Sequence, residues 1–99
     1  MYSKIVLCIS EIEDEVLTKQ LGMLSERHHA YVERVDAGKA ASIIADCEPG
    51  ILFISDDKAL LSEARSKGIA INDPATMKAS YNKAMEMLKT LGNGKPSQG

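Results

Sequence analysis

The sequence predicts an α/β fold, with a small, mostly parallel sheet covered on both faces by helices in a three-layer α/β/α arrangement. The clearest strand is the apolar run Ile51–Ser55, whose lack of alternation indicates burial on both faces. A helical segment, Asp57–Lys67, follows it and ends before Gly68, and Ile69–Ile71 is the next apolar run. A strand, a helix and a strand in succession require parallel strands and a right-handed crossover.

The chain opens with a second buried-type strand, Lys4–Ser10. Ser10 is predicted to be the N-cap of the following helix, because Glu13 lies three residues later and completes a capping box. Gly22 is predicted to end that helix.

The next segment has two interpretations. Its apolar residues fall on one helical stripe, which favours a helix, whereas Ala30–Val35 taken alone fits a short strand. The stripe comprises Leu24, His28, Tyr31, Val32 and Val35. We predict a helix, with the strand as the alternative.

The remaining boundaries follow from capping and turn residues. Asp36 is predicted to cap a helix with a small-residue face, and Pro49-Gly50 to form a turn. Ser55 or Asp56 is predicted to cap the helix Asp57–Lys67. Asp73 and Pro74 are predicted to be the N-cap and first residue of a last helix. Its apolar stripe is Met77, Tyr81, Ala84, Met85, Leu88 and Leu91.

The composition predicts one globular domain over residues 1–91 and a disordered tail over 92–99, which has no apolar residue. The chain has 99 residues, of which 44% are hydrophobic, and it lacks Trp. A core this small, together with five Met residues, predicts a homo-oligomer. Cys8 and Cys47 are expected to be buried thiols in a reducing compartment. No apolar run is long enough to span a membrane. We therefore expect a cytoplasmic protein.

Charge is distributed unevenly along the chain. Residues 1–57 carry five basic and eleven acidic residues, a balance of −6, and residues 58–99 carry seven basic and three acidic residues, a balance of +4. An acidic half suits divalent cations, and a basic half suits an anion such as RNA, although solvated helix faces give the same pattern. The candidate phosphate-facing residues are Arg65, Lys67, Lys78, Lys83 and Lys89.

Four acids are candidate metal ligands. Glu15 lies in the helix after the first strand, Asp36 opens the small-residue helix, and Asp56 and Asp57 follow the strand Ile51–Ser55. Carboxylates at the carboxyl edge of a parallel sheet hold Mg²⁺ or Mn²⁺ in many metal sites, and the metal then activates water. Helix capping explains the same positions without a metal.

Residues 36–75 resemble the C-terminal half of a PIN domain. Residues 5–21 resemble, less closely, the second strand of the family and the helix that carries its conserved Glu. The residues that carry the resemblance are the strand I-L-F-I-S-D-D with its helix and G-I-A-I-N-D strand, the segment D-A-G-K-A-A-S-I-I-A, and the segment I-S-E-I-E-D-E-V. PIN domains are typically metal-dependent ribonucleases with four acids around one or two cations. The resemblance implies that Glu15, Asp36 and Asp57 match three of these acids.

The chain departs from the PIN pattern at two positions. Ser10 stands where the first acid would be if Lys4–Ser10 is the first strand, and Lys39 stands where many relatives have Glu. The resemblance therefore implies a reduced PIN-like domain, a weak Mg²⁺- or Mn²⁺-dependent ribonuclease or RNA-handling protein with an incomplete acidic site. The alternative is a non-catalytic, dimeric interaction or RNA-binding module that has a protein partner. A receiver-like phosphoacceptor domain ranks last, because the end of the first strand supplies one acid instead of two.

Overall fold

A computed structural model describes residues 2–93 of the chain, with side chains to residue 89. Its elements alternate in the order β1 (Lys4–Cys8), α1 (Glu15–His28), β2 (Tyr31–Arg34), α2 (Ala37–Asp46), β3 (Ile51–Ser55), α3 (Lys58–Ser66), β4 (Ala70–Asn72) and α4 (Pro74–Asn93). The four strands form one parallel sheet in the order β2-β1-β3-β4. The predicted α/β class and parallel sheet are therefore confirmed.

The two central strands divide their side chains between two helical layers. Ile5 and Leu7 of β1 face a core completed by α1 and α4, whereas Val6 and Cys8 face a core completed by α2 and α3. Strand β3 follows the same alternation, and all five of its residues are buried. Helices on both faces explain why β1 and β3 are apolar throughout instead of alternating with polar residues.

The segment after α1 is a strand, so the predicted helix over residues 30–35 is wrong. Helix α1 ends at His28, and His29 has the left-handed φ of 53° that turns the chain out of the helix. Residues 31–34 then pair in parallel with β1. The edge of β1 offers hydrogen-bond partners to the backbone of this segment, and this pairing favours a strand. The apolar periodicity of the segment does not indicate such a partner.

The start and end of α1 also differ from the prediction. Its N-cap is Asp14, whose carboxylate accepts a hydrogen bond from the Leu17 amide, so Ser10 and Glu13 do not form the predicted capping box. The helix runs through Gly22, because burial of Leu17 and Leu21 outweighs the cost of about 1 kcal/mol for an interior glycine.

The other caps lie at or next to the predicted positions. Asp36 caps α2, and Pro74 begins α4 after Asp73, whose carboxylate accepts a hydrogen bond from the Thr76 amide. The N-cap of α3 is Asp57, so the predicted cap, Ser55 or Asp56, is wrong by one or two residues. Of the predicted tail, residues 92 and 93 belong to α4, and residues 94–99 lie outside the part that the structure describes.

Cys47 is exposed, contrary to the prediction that both thiols are buried. It is the C-cap of α2, with a φ of 50°, and its thiol donates to the carbonyl of Lys67. Its position at a helix end before the Pro49-Gly50 turn places it at the surface, whereas Cys8 is buried in β1.

Candidate binding site at the carboxyl edge of the sheet

The order of the strands creates a switch point between β1 and β3. The chain leaves β1 toward β2 on one side of the sheet, and leaves β3 toward β4 on the other. Ligands of open parallel sheets bind outside the carboxyl ends of such a strand pair, because the two connections diverge and leave a crevice. Residues Ile9–Asp14, here called the β1–α1 loop, lie at this point.

The carboxylate of Asp56 anchors the β1–α1 loop to the end of β3. It accepts hydrogen bonds from the Ser10 amide, at 3.1 Å to Oδ1 and 3.0 Å to Oδ2, and from the Ser10 hydroxyl, at 3.0 Å. The Glu11 amide donates to Oδ2 at 3.3 Å. An ionised carboxylate suits this role, because each of its oxygens accepts several hydrogen bonds.

Two ion pairs hold the second half of the loop. The Arg34 guanidinium at the end of β2 donates to both carboxylate oxygens of Glu13, at 2.7 and 2.9 Å, and these bonds hold the pKa of Glu13 below its ordinary value. Lys78 of α4 pairs with Asp14 and lowers the pKa of that carboxyl in the same way. The loop is thus attached to the ends of β2 and β3 and to α4.

The anchored loop displays an isoleucine to solvent. Ile12 is 93% exposed, the highest fraction among the exposed large hydrophobic side chains of the described residues. One exposed apolar side chain is ordinary on a protein surface, so the position of Ile12 gains meaning from the apolar surface beside it.

Ile12 borders a crevice of about 500 Å³, here called the edge crevice. This volume lies within the range of about 300–1,000 Å³ that is usual for ligand clefts. The apolar lining comes from Ile9, Ile12, Leu17, Leu61, Pro74 and Ala75. The charged lining consists of Glu11, Asp14, Asp56 and Asp73 with Lys58 and Lys78, an excess of two acids.

A second crevice, of about 410 Å³, lies on the other side of the β1–α1 loop. Ile9 and Glu11 line both crevices, so the loop separates them. The second crevice also contains Glu13, Arg34 and Asp36.

The four predicted metal ligands occupy different positions at this edge. Asp56 lines the edge crevice and Asp36 the second crevice, and Glu15 and Asp57 line neither. Asp57 accepts hydrogen bonds from the Ala59 and Leu60 amides, at 2.9 and 3.2 Å, and Asp36 from the Lys39 amide, at 2.8 Å. Glu15 is exposed and lies 4.0 Å from Lys19.

These acids do not fit a metal centre in the arrangement observed. Within residues 2–93, no group of three or more His, Cys, Asp or Glu side chains is placed to hold a metal ion. Asp36, Asp56 and Asp57 each bind backbone amides of the chain instead. The Mg²⁺ or Mn²⁺ site stays a prediction, and we derive no reaction step through a metal.

The pKa of the Cys8 thiol reflects the negative charge at this edge of the sheet. Burial raises the pKa of its thiol, and the negative charges of Asp56, Asp57 and Asp36 raise it further. Three of the predicted acids therefore lie near enough to β1 to act on one buried group. A thiol with a raised pKa stays protonated at neutral pH, so Cys8 is not an activated nucleophile.

Sequence reasoning missed the groups that shape the crevice. Arg34 and Lys78 are ion-pair partners of the loop, whereas the sequence indicates Lys78 only as a candidate phosphate-facing residue. Ile12 falls within the helix predicted to follow Ser10, although an isoleucine isolated among four acids in E-I-E-D-E is itself a signal of an unusual position.

The position of His28 on an apolar stripe predicts a satisfied core or interface residue. Its ring packs on Tyr2, with 4.9 Å between ring centroids, but its Nδ1 has no hydrogen-bond partner within the described part of the chain.

Comparisons of this chain with protein-family models, with curated proteins and with solved structures found no match. The PIN-domain resemblance therefore stays a prediction. None of the helices formed by residues 2–93 has both the length and the apolar character needed to cross a membrane.

Proposed function

We propose that this protein is a non-catalytic interaction module that acts as a homo-oligomer, with the distal half of α4 as its contact surface. One observation carries the proposal: residues 82–89 of α4 are all exposed, although three of them are large and apolar. Met85 is 49% exposed, Met87 57% and Leu88 63%.

The apolar stripe of α4 continues past the domain that it packs on. Met77 is buried in the core that α1 and the sheet complete, and Tyr81 is half-buried. Met85 and Leu88 extend the same stripe beyond them. Residues separated by three or four positions share one helix face. The face that stabilises the domain therefore becomes a free apolar surface in its second half, and burying one such side chain contributes about 1.5–3 kcal/mol.

Sedimentation velocity over a wide concentration range tests this proposal. We expect the wild type to associate and Leu88→Asp to remain monomeric, because a charge replaces a leucine that association would bury. Ala79→Asp is the matched control, since Ala79 is exposed and lies about 180° around the helix from Leu88. A wild type that is monomeric at high concentration would refute the proposal.

A weak Mg²⁺- or Mn²⁺-dependent ribonuclease is the second candidate. It is favoured by the resemblance to PIN domains and by the negative charges of Asp36, Asp56 and Asp57, which all raise the pKa of Cys8 although these acids occupy different positions at the sheet edge. Isothermal titration with Mn²⁺ and cleavage of a labelled single-stranded RNA test it. Manganese-dependent cleavage that Asp57→Asn abolishes would establish this candidate, and absence of both binding and cleavage would reject it. Asn caps a helix about as well as Asp, so the variant should remain folded.

A further inference from the structure

We propose that the distal half of α4 in one copy docks into the edge crevice of a second copy, and that the two copies do so reciprocally. This inference rests on the proposed self-association and names the two surfaces that meet. The occupant of the crevice is thus the Met85–Leu88 face of another molecule of the same chain.

The distal helix does not reach the crevice of its own molecule. Pro74, Ala75 and Lys78 at the start of α4 line that crevice, and α4 then continues without interruption. Leu88 lies fourteen residues after Pro74, so it is about 21 Å away along the helix axis at a rise of 1.5 Å per residue. Contact between the two surfaces therefore requires a second copy.

The two surfaces are complementary in charge. The edge crevice has an apolar lining and two more acids than bases. The Glu11 side chain makes no hydrogen bond or ion pair with the described residues, and Asp73 uses its carboxylate to cap α4. Residues 82–89 of α4 carry two bases, Lys83 and Lys89, and one acid, Glu86. Lys89 lies about 40° around the helix from Met85 and so borders the apolar face, whereas Lys83 lies on the far side. Lys89 forms no ion pair within residues 2–89.

The mode of contact is a helix in a groove. An amphipathic helix places side chains spaced at i and i+3 or i+4 into an apolar groove, and Met85 and Leu88 have this spacing. The groove is preformed, because Asp56, Arg34 and Lys78 hold its wall, the β1–α1 loop, in place. A fixed loop loses little conformational freedom on binding, which favours association.

Reciprocal docking gives a closed dimer with two equivalent contacts. Each copy provides one helix and one crevice, so the two-fold arrangement satisfies both surfaces without forming a filament. In the competing arrangement the distal helices pair with each other, and the crevice takes no part.

A complementation experiment separates these arrangements. Ile12→Lys places a cation at the crevice rim, where it repels Lys89 of the docked helix. Leu88→Asp places an anion on the helix, where it meets an acidic crevice. We expect each variant alone to dissociate at least about tenfold more readily than wild type, the loss expected for a residue central to an interface. An equimolar mixture should associate again, because the helix of Ile12→Lys fits the unaltered crevice of Leu88→Asp.

The readouts are sedimentation velocity and a labelled mixing titration, with Ala79→Asp as the control that stays wild-type. Circular dichroism checks that each variant is folded; Ile12 is 93% exposed, so its replacement leaves the core intact. Association should also weaken between 50 and 500 mM NaCl, because salt screens the charge pairs.

Two outcomes contradict the inference in different ways. In the first, Ile12→Lys associates as strongly as wild type, Leu88→Asp does not, and the mixture is not rescued. The distal helices then pair with each other, so the reciprocal docking is wrong and the proposed function stands. If the wild type is monomeric throughout, both are wrong.

Discussion

Asp56 and Asp57 are neighbours with the same side chain and different structural roles. Asp56 accepts hydrogen bonds from Ser10 and Glu11, which lie more than forty residues earlier, and so joins two separate loops. Asp57 accepts from Ala59 and Leu60, which follow it directly, and so caps its own helix. Asp56 thus shapes the edge crevice, whereas Asp57 acts locally.

Asp56→Ala should lower the free energy of unfolding by about 1–2 kcal/mol, because hydrogen bonds to a charged acceptor are lost. Hydrogen exchange at the Ser10 and Glu11 amides should rise as the loop is released. Asp57→Asn is the control and should leave both quantities nearly unchanged, since Asn caps well. Equal exchange rates at Ser10 in wild type and Asp56→Ala would show that Asp56 does not anchor the loop.

The Glu13–Arg34 pair predicts a pH dependence of stability. The Arg34 hydrogen bonds hold the pKa of Glu13 below its ordinary value in the folded state. The pair therefore stabilises the fold above the unfolded pKa of about 4.3, and this contribution disappears as the pH falls through the lowered pKa.

Glu13→Gln should accordingly be less stable than wild type at pH 6, and the difference should shrink as the pH falls below about 4. Urea denaturation at a series of pH values measures it. Glu15→Gln is the control, because Glu15 is exposed and makes only a 4.0 Å ion pair. A Glu13→Gln difference that is constant from pH 6 to pH 3 would contradict the prediction.

At the scale of elements, glycines mark two opposite situations. Gly22 lies inside α1 with open space around its Cα, so a side chain fits and helical propensity decides the outcome. Gly68 follows α3 with a φ of 80°, a conformation that costs a residue with a side chain about 1–2 kcal/mol. Its surroundings are also open, so the backbone alone imposes the glycine.

Gly22→Ala should therefore raise the free energy of unfolding by about 0.5–1 kcal/mol, and Gly68→Ala should lower it by about 1 kcal/mol. Thermal and urea unfolding of the two variants measure both changes. Since each variant adds one methyl group to open space, each serves as the steric control for the other. A stabilising Gly68→Ala would show that this backbone relaxes out of the left-handed region.

At the scale of the whole molecule, the strand order decides which segments meet. Because β1 lies between β2 and β3, the loop after β1 lies between Arg34 and Asp56, and α4 returns on the α1 side to bring Lys78 to Asp14. The edge crevice is therefore assembled from parts of the chain separated by up to about seventy residues.

Self-association should couple to stability. If copies bind each other only when folded, the melting temperature of the wild type should rise with protein concentration, because association favours the folded state by mass action. Leu88→Asp should melt at one temperature at every concentration. Differential scanning calorimetry over a hundredfold concentration range measures this, and a wild-type melting temperature independent of concentration would contradict it.

The sequence by itself determined the local features of this protein. The apolar runs of β1 and β3, the caps Asp36 and Asp73, and the glycine after α3 each follow from short-range chemistry: burial on both faces, side-chain acceptance of free amides, and a positive φ. These effects act within a few residues, so a single sequence displays them.

Tertiary structure alone decided what depends on distant partners. Residues 31–34 became a strand because β1 offered a free edge, and α1 continued through Gly22 because the sheet buried its leucines. Asp56 became a loop anchor, and Ile12 an exposed side chain at the crevice rim, because the strand order brought the β1–α1 loop to the end of β3. Local periodicity carries no information about which strand lies beside which, and that neighbour relation determines the site.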